Sequence, residues 1–290
     1  PSGPFSMIAR DLTVSVTDAL KIVLDNVTPL GPEDVSILDL PGRVLFDPII
    51  ADHMVPPWNN SAMDGYAMIA ADSKGSSRNS PLRLRIAGEV QAGSVWQAAM
   101  ENGTAVRIMT GAPIPANADC VIPIEDTEED GGYVALFREV SPYENYRFAG
   151  ESIKKGDVVL DRGERLGSAH MGTLASLNCG GARVYARPRV SIIATGNEVV
   201  EPGQNIADGQ IRNINAYTLM AEAKKYGALP SYLGIARDIY EDSRKLFEKA
   251  LDADVVISTG GVSMGKYDLV RDVYADLGID IKFGWVKVKP

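Results

Sequence analysis

The sequence predicts a multidomain protein of mixed α/β and β class: a β-rich domain inserted in the N-terminal half, then a three-layer α/β/α domain toward the C-terminal end. Three observations predict it. A length of 290 residues exceeds the usual size of one domain, and 45% hydrophobic residues supply more than one core. Between about Leu82 and Val140 short β-rich runs follow one another, separated by Gly, Pro, Asn and acidic turn clusters. From Pro188 onward apolar strand-like runs alternate with amphipathic helical segments, the pattern of a parallel sheet covered on both faces.

Each element has a local cause. Ser15-x-x-Asp18 offers a capping-box-like start for a helix of about three turns, with Ala19, Leu20, Val23, Leu24 and Val27 on one face. The Pro56-Pro57 pair then leads into a polar loop, Asn59 to Tyr66. The β-rich runs are Arg83 to Val90, Thr104 to Met109, Cys120 to Ile124 and Tyr133 to Val140, which predict a small barrel-like domain. Gly150 to Leu166 reads as a connection, and Ala169 to Leu177 as a helix closed by the Gly180-Gly181 pair. In the last region the predicted strands are Val190 to Ala194, Pro230 to Ile235, Asp254 to Ser258 and Ile281 to Val288. The predicted helices run from a cap at Asn215 to Gly227, from Glu241 to Leu251 and from Leu269 to Leu277. The expected domains are 7–54 with 149–187 as a discontinuous linking domain, 55–148 as the inserted β domain, and 188–290 as the α/β domain.

Composition excludes several classes. No apolar run approaches the ~20 residues of a bilayer-spanning helix, so no membrane role is expected. Pro1 to Ser6 carries no basic n-region or apolar core, so no secretory signal is read, and Met7 is taken as the native start. Two cysteines, Cys120 and Cys179, with His53 and His170 and no Cys-x-x-Cys, argue against a zinc cluster and for a reduced, cytoplasmic setting. A net charge of −9 has the wrong sign for a nucleic-acid-binding surface, so an anionic ligand needs a local site. Ser61 lacks a Gly-x-Ser-x-Gly context, which disfavours a Ser-His-Asp hydrolase, and His170 reads as a packed or surface helix residue.

Two apolar strands end alike, in Ile193-Ala194-Thr195-Gly196-Asn197-Glu198 and in Ile257-Ser258-Thr259-Gly260-Gly261-Val262-Ser263-Met264-Gly265. In open α/β sheets ligands bind beyond the carboxyl ends of strands, where glycine lets backbone N–H groups approach phosphate. Thr195-Gly196 alone is equally a tight turn; three glycines between 260 and 265 favour the ligand-binding reading. Neither a Walker loop nor a Gly-x-Gly-x-x-Gly fingerprint is present, which disfavours P-loop ATP hydrolysis and NAD. Glu198, Asp238 and Asp268 lie beside these loops, and three carboxylates around a phosphate repel it unless a hard cation such as Mg²⁺ intervenes. Helix N-capping by Asp238 and Asp268 is the alternative. Lys266, Lys287 and Lys289 are candidate sources of local positive charge. Asp64 and Thr110 sit in Asp-Gly and Gly-x-Pro contexts that an ordinary turn explains when each is taken alone.

Five blocks then occur in series: Asn60-Ser61-Ala62-Met63-Asp64-Gly65-Tyr66-Ala67, Thr110-Gly111-Ala112-Pro113-Ile114-Pro115-Ala116-Asn117-Ala118-Asp119, Gly150-Glu151-Ser152-Ile153-Lys154-x-Gly156-Asp157, Pro188-Arg189-Val190-x-Ile192-x-Ala194-Thr195-Gly196-Asn197-Glu198, and Ser258 to Gly265 followed by Asp268. Together they resemble the molybdopterin molybdotransferase family, which includes MoeA and the E domain of gephyrin, from about Leu12 to Pro290. The resemblance implies an elongated, dimeric subunit and the last step of molybdenum cofactor synthesis, in which adenylylated molybdopterin and molybdate react with Mg²⁺ to give the cofactor and AMP. It implies that Glu198, Asp238 and Asp268 handle nucleotide, metal and molybdate. It further implies that Thr195, Gly196, Ser258, Gly260, Gly261, Ser263, Gly265 and Lys289 hold the pterin phosphate side, with Asp64 and Thr110 approaching from the partner subunit of a homodimer. A molybdopterin adenylyltransferase is the implied upstream partner. Ser152, Asn197 and Trp285 depart from the family pattern, and the family's Lys-Pro-Gly-Lys-Pro run begins at Lys289-Pro290, so the chain reads as C-terminally truncated. Two alternatives stand beside the transferase: a non-catalytic scaffold or ligand-binding module of the same fold, and a tungstate-inserting relative.

Overall fold

A computed structural model describes residues 13–91, 93–260 and 269–288; the expectations on Gly261, Ser263, Gly265, Lys266, Asp268 and Lys289 lie outside the described residues. The chain divides into two compact units, Val35–Ala182 on one side and Arg183–Pro290 with the residues up to Asp34 on the other. Helix α1, Val16–Asp25, starts as its sequence predicts: Ser15 Oγ accepts from the Asp18 N–H at 3.1 Å and donates to the Asp18 carboxylate at 2.7 Å. Ala19 is buried, whereas Leu20, Val23, Leu24 and Val27 are exposed, leaving an apolar stripe on the surface.

In the β-rich unit the strands that frame the site are β1 (Asn60–Ser61), β2 (Gly65–Met68), β3 (Ser77–Val90), β4 (Thr104–Ile108), β5 (Cys120–Pro123), β6 (Thr127–Asp130), β7 (Tyr133–Arg138) and β8 (Tyr146–Arg147). Six of them form one sheet in the order β5-β2-β4-β3-β7-β6, antiparallel except between β3 and β4. Both faces are apolar, because alternate side chains feed two cores: Tyr66, Met68, Ile122 and Leu136 on one, Ala67, Val106, Ile108 and Val121 on the other. A bulge between Ile86 and Gly88 moves Val90 to the second core, away from Leu84 and Ile86. The edge strands β5 and β6 are joined by a single short turn, Ile124–Asp126, so the sheet curls until its edges approach. The barrel-like expectation holds in curvature, although β5 and β6 do not pair.

The segment Asn59 to Tyr66, expected as a loop, contains β1 and the start of β2. The cause is Gly65: a Cβ there would collide with the Ile122 carbonyl, so only glycine lets β2 lie against β5. Helix α2, Ser168–Ser176, ends differently from its prediction. Asn178 takes the left-handed conformation (φ 58°), with Asn178 N–H donating to Ala175 O and Cys179 N–H to Leu174 O, so the helix closes before the Gly180-Gly181 pair. Gly181 is needed for another reason, because its Cβ would lie 2.5 Å from the Val35 carbonyl oxygen. His170 is also more than a packed residue: its Nδ1 accepts from the Gly167 N–H at 2.7 Å and its Nε2 faces Glu164 at 3.2 Å, which caps the start of α2.

The α/β unit runs β9 (Arg189–Thr195), α3 (Asn215–Lys225), β10 (Leu229–Ala236), α4 (Tyr240–Ala250), β11 (Val255–Thr259) and α5 (Leu269–Asp276). The sheet order is β10-β9-β11, parallel throughout. Val190, Ile192 and Ala216 pack α3 on one face, while Ile193, Phe247, Ala250, Val270 and Val273 pack α4 and α5 on the other. This is the predicted three-layer arrangement. Two expectations change. The side chain that caps α3 is Asn213, whose Oδ1 accepts from Ala216 N at 3.3 Å, with Asn215 already the first helical residue. The expected strand Ile281 to Val288 shrinks to Trp285–Val286, which pairs with Thr13–Val14 and not with the three-stranded sheet; Ile281 is exposed and has no core to enter.

Phe247 is buried, with its ring edge-on to Tyr274 at 5.3 Å. Phe247→Ala is expected to cost about 3–5 kcal/mol by removing packing from the core that joins α4 to the sheet. Guanidinium unfolding, read as a lowered midpoint with an unchanged slope, checks it.

Candidate functional site

Because β9, β10 and β11 are parallel, the residues after Thr195, Ala236 and Thr259 share one edge of the sheet. Gly196 carries φ 124° and is buried against its own loop: a Cβ there would lie 2.7 Å from the Glu198 carboxyl carbon. The Glu198 carboxylate is therefore folded back over the Gly196 α-carbon. Gly260 carries φ 86°, and a Cβ on it would lie 2.8 Å from Thr195 Oγ1 and 3.0 Å from the Thr195 carbonyl oxygen. The two glycine loops thus touch at Thr195. That residue is buried and its hydroxyl donates to the Thr259 carbonyl at 2.9 Å, so it ties the strand ends together. Ser258 is half-buried with its Oγ 3.1 Å from the Tyr274 hydroxyl.

Asp238 follows β10 and is exposed, as is Glu198. The helix after it, α4, has Ile239 at its N-cap and no side-chain cap, so the Asp238 carboxylate is not spent on capping. The Asp238 backbone N–H instead donates to Asn197 Oδ1 at 3.2 Å, which brings the loop after β10 against the loop after β9. A residue that sequence reasoning missed completes the arrangement. Arg237 sends one guanidinium nitrogen to the carbonyls of Asn197 (3.1 Å), Val199 (3.2 Å) and, at the limit, Gly196 (3.5 Å). It holds the turn that carries Glu198. The signal was available: an arginine directly before an aspartate at a strand end beside a glycine turn full of carbonyls. Glu201, just beyond, accepts from the hydroxyls of Tyr217 and Tyr232, and burial beside that carboxylate pushes the Tyr232 hydroxyl well above its ordinary pKa.

Glu198 and Asp238 offer hard oxygen donors at one sheet edge, and neither carboxylate is taken up by a described side chain, which suits a hydrated Mg²⁺. The third expected ligand, Asp268, is outside the described residues, and among the described residues no three His, Cys, Asp or Glu side chains converge. A cavity of about 400 Å³ lined by Arg187, Lys224 and Leu229 lies at the start of β10, the opposite end of the strand from these groups.

The other predicted pair is in the β-rich unit, and the structure joins it. Thr110 donates both its N–H and its hydroxyl to Asp64 Oδ1, each at 2.7 Å. These two bonds, the backbone one first, hold the Asp64 carboxyl below the usual carboxylate range. Asp64 and Thr110 are both exposed, so the clasp is presented on the surface.

Residues 14–178 match the family model of the MoeA N-terminal region (domain I and II), and residues 191–290 match that of the probable molybdopterin binding domain. The chain belongs to the MoeA family. Among curated relatives, the molybdopterin molybdenumtransferases of Staphylococcus epidermidis, Nostoc sp. and Bacillus subtilis are 33%, 36% and 35% identical to it. The alignments cover 98%, 95% and 98% of this chain and 68%, 64% and 67% of those proteins, so the chain spans about two thirds of their length. The crystal structure of the molybdopterin biosynthesis MoeA protein from Pyrococcus horikosii superposes with a TM-score of 0.82 at 34% identity, covering 96% of this chain and 70% of that one. Family membership places this MoeA homologue among transferases of molybdenum cofactor biosynthesis. Among its described residues no helix is long and apolar enough to cross a membrane.

Two outcomes follow for the site. Thr110→Val removes the hydroxyl donor and keeps the N–H, so the Asp64 titration is expected to move upward, toward the ordinary carboxylate value, in carboxyl ¹³C NMR. Because the folded-state pKa is depressed, the clasp contributes stability at neutral pH and loses it as pH falls through the lowered value. Arg237→Met leaves the Asn197 and Val199 carbonyls without their donor, and faster amide hydrogen exchange across 196–200 is the expected reading.

Proposed function

We propose that this protein inserts molybdate into adenylylated molybdopterin, releasing AMP and leaving molybdenum cofactor. The observation that carries the reading is the shared sheet edge where Gly196, Gly260, Glu198 and Asp238 meet, in a chain of the MoeA family. In this proposal the glycine turns admit the phosphate groups of the substrate close to backbone, since no Cβ stands in the way. Glu198 and Asp238, with Asp268, hold Mg²⁺, which when bound supplies neutralising charge at the phosphoanhydride. Arg237 fixes the Glu198 turn, and Asn197 fixes the Asp238 backbone, so neither carboxylate needs to reorganise as substrate enters. Asp64, oriented by its two bonds from Thr110, is a hydrogen-bond acceptor for a substrate donor at neutral pH. A molybdate oxygen attacks phosphorus as the phosphoanhydride bond breaks, so that oxygen stays on the phosphoryl group it attacks, AMP leaves, and the dithiolene sulfurs capture the molybdenum.

The assembly we propose is a homodimer in which Asp64 and Thr110 of one subunit serve the carboxylates of another; the exposed stripe Leu20, Val23, Leu24 supports an interface of that kind. A cytoplasmic setting, with a molybdopterin adenylyltransferase upstream, completes the proposal.

The decisive measurement is AMP release from adenylylated molybdopterin by the purified protein with Mg²⁺ and molybdate. Glu198→Gln and Asp238→Asn are each expected to lower the rate about a hundred-fold or more, the scale on which lost electrostatic stabilisation acts. Release that is absent in the wild type, or equal in wild type and both variants, overturns the reading. Tungstate in place of molybdate measures which oxyanion is preferred.

A further inference from the structure

Beside the Asp64–Thr110 clasp the β-rich unit displays three aromatic rings that no part of the proposed reaction uses. Tyr143, Tyr146 and Phe148 touch one another pairwise, with ring centroids 5.6 Å (Tyr143–Tyr146), 5.3 Å (Tyr143–Phe148) and 4.9 Å (Tyr146–Phe148) apart. Such a cluster normally closes a core. Here Tyr143 is 58% and Phe148 46% exposed, so ring faces stay in water at a hydrophobic cost.

The backbone under the rings is held with unusual force. Tyr143 adopts φ 64°, a left-handed conformation that a bulky side chain takes only under constraint, and Asn145 follows with φ 54°. The constraint is visible. Tyr143 N–H donates to Asp119 O at 2.6 Å, Val121 N–H donates to Glu144 O, and the Asn145 side chain donates to Val121 O. The Glu144 carboxylate meets Arg138 at 2.7 Å and accepts the Ser141 N–H at 3.1 Å. The segment is thus pinned to β5 while its rings face out.

Its location is equally specific. Strand β1 lies between the two features: Gly111 N–H donates to Ser61 O on one side, and Tyr146 pairs with Ser61 on the other, with Ala62 N–H donating to Asn145 O. Two strand spacings, about 10 Å, therefore separate the Thr110–Gly111 backbone from that of Tyr146. Three small ring faces fall far short of the roughly 800 Å² per partner that a stable protein interface buries. They match a single flat ring.

We propose that Tyr143, Tyr146 and Phe148 form a stacking subsite for a flat nitrogen heterocycle, positioned by β1 next to the Asp64–Thr110 clasp. The proposal rests on the reading above in one respect: its substrate carries two such rings, a pterin and an adenine, and the subsite takes one of them.

The test uses the purified protein, AMP and pterin-6-carboxylate as separate probes, with binding followed by calorimetry. Phe148→Leu keeps the bulk and loses the π face, and Tyr143→Asn keeps a residue that tolerates the left-handed backbone. Circular dichroism and the Asp64 titration serve as checks of folding. The expected result is that one probe loses affinity ten-fold or more in both variants, as loss of a stacking partner does, while the other probe is unchanged; which probe responds identifies the ring. Unchanged affinity for both probes, or no binding of either to the wild type, overturns the subsite. So does loss of self-association in the variants with ring binding intact, which would make the rings a protein contact. AMP release by the wild type separates the two proposals. Turnover with indifferent variants removes the subsite alone, and ring-dependent binding without turnover removes the reaction alone.

Discussion

Because Arg189–Thr195 pairs in parallel with a strand on each side, every strand of the α/β unit delivers its carboxyl end to the same edge. The chain leaves the central strand toward α3 on one face and leaves its neighbours toward α4 and α5 on the other. The loops diverge beside β9, which is the geometry that opens a ligand crevice in sheets of this class. What fills the crevice is then decided by the few residues after Thr195, Ala236 and Thr259. An antiparallel neighbour would have sent one of those groups to the far end of a seven-residue strand, about 20 Å away. The ridge of buried Ile193, Phe247 and Val273 supports that edge, since it fixes which face α4 and α5 take.

Charge is distributed within the crevice in a way that depends on Arg237. A guanidinium beside two carboxylates would ordinarily pair with one of them. Arg237 instead sends one guanidinium nitrogen to the carbonyls of the Gly196 to Val199 loop. Glu198 and Asp238 stay exposed in a protein whose net charge is already −9. Among the described residues no cationic side chain pairs with either carboxylate, which leaves room for the cation that the proposed chemistry needs. An Arg237–Asp238 ion pair would have removed it.

Much of this was readable in the amino-acid sequence, and the parts that were not share a cause. The three-layer unit was legible because each strand is a short apolar run and each helix an amphipathic one, and both signals are local. The glycines at 196 and 260 were legible because a left-handed turn leaves few other choices of residue. What escaped depends on contacts between distant segments. Gly65 looks like a turn residue until Ile122 is placed against it, and β2 then appears where a loop was expected. His170 caps α2 only because Gly167 N–H and Glu164 reach it. Arg237 acquires a role only once β9 and β10 lie side by side. Asp64 and Thr110, each an ordinary turn residue in isolation, become a pair only through the pairing of β2 with β4.

The β-rich unit solves a different problem with the same economy. Its site residues come from a polar segment, Asn59 to Asp64, that has little apolar side chain to bury and so cannot be fixed by packing. It is fixed by backbone bonds. Ser61 exchanges bonds with Gly111 and Ala112 on one side and pairs with Tyr146 on the other, Asn59 O receives Ile114 N–H, and the Asn59 side chain receives Ala149 N–H. Ser61 and Asn60 are buried despite their polarity, a cost that only satisfied hydrogen bonds offset. A short strand of this kind couples its neighbours rigidly: a displacement of the Thr110 turn must move β1, and with it the Tyr146 ring. The clasp that orients Asp64 and the aromatic surface beside it are therefore one mechanical body, and a substrate that engages both meets two contacts whose separation was set when the strand formed.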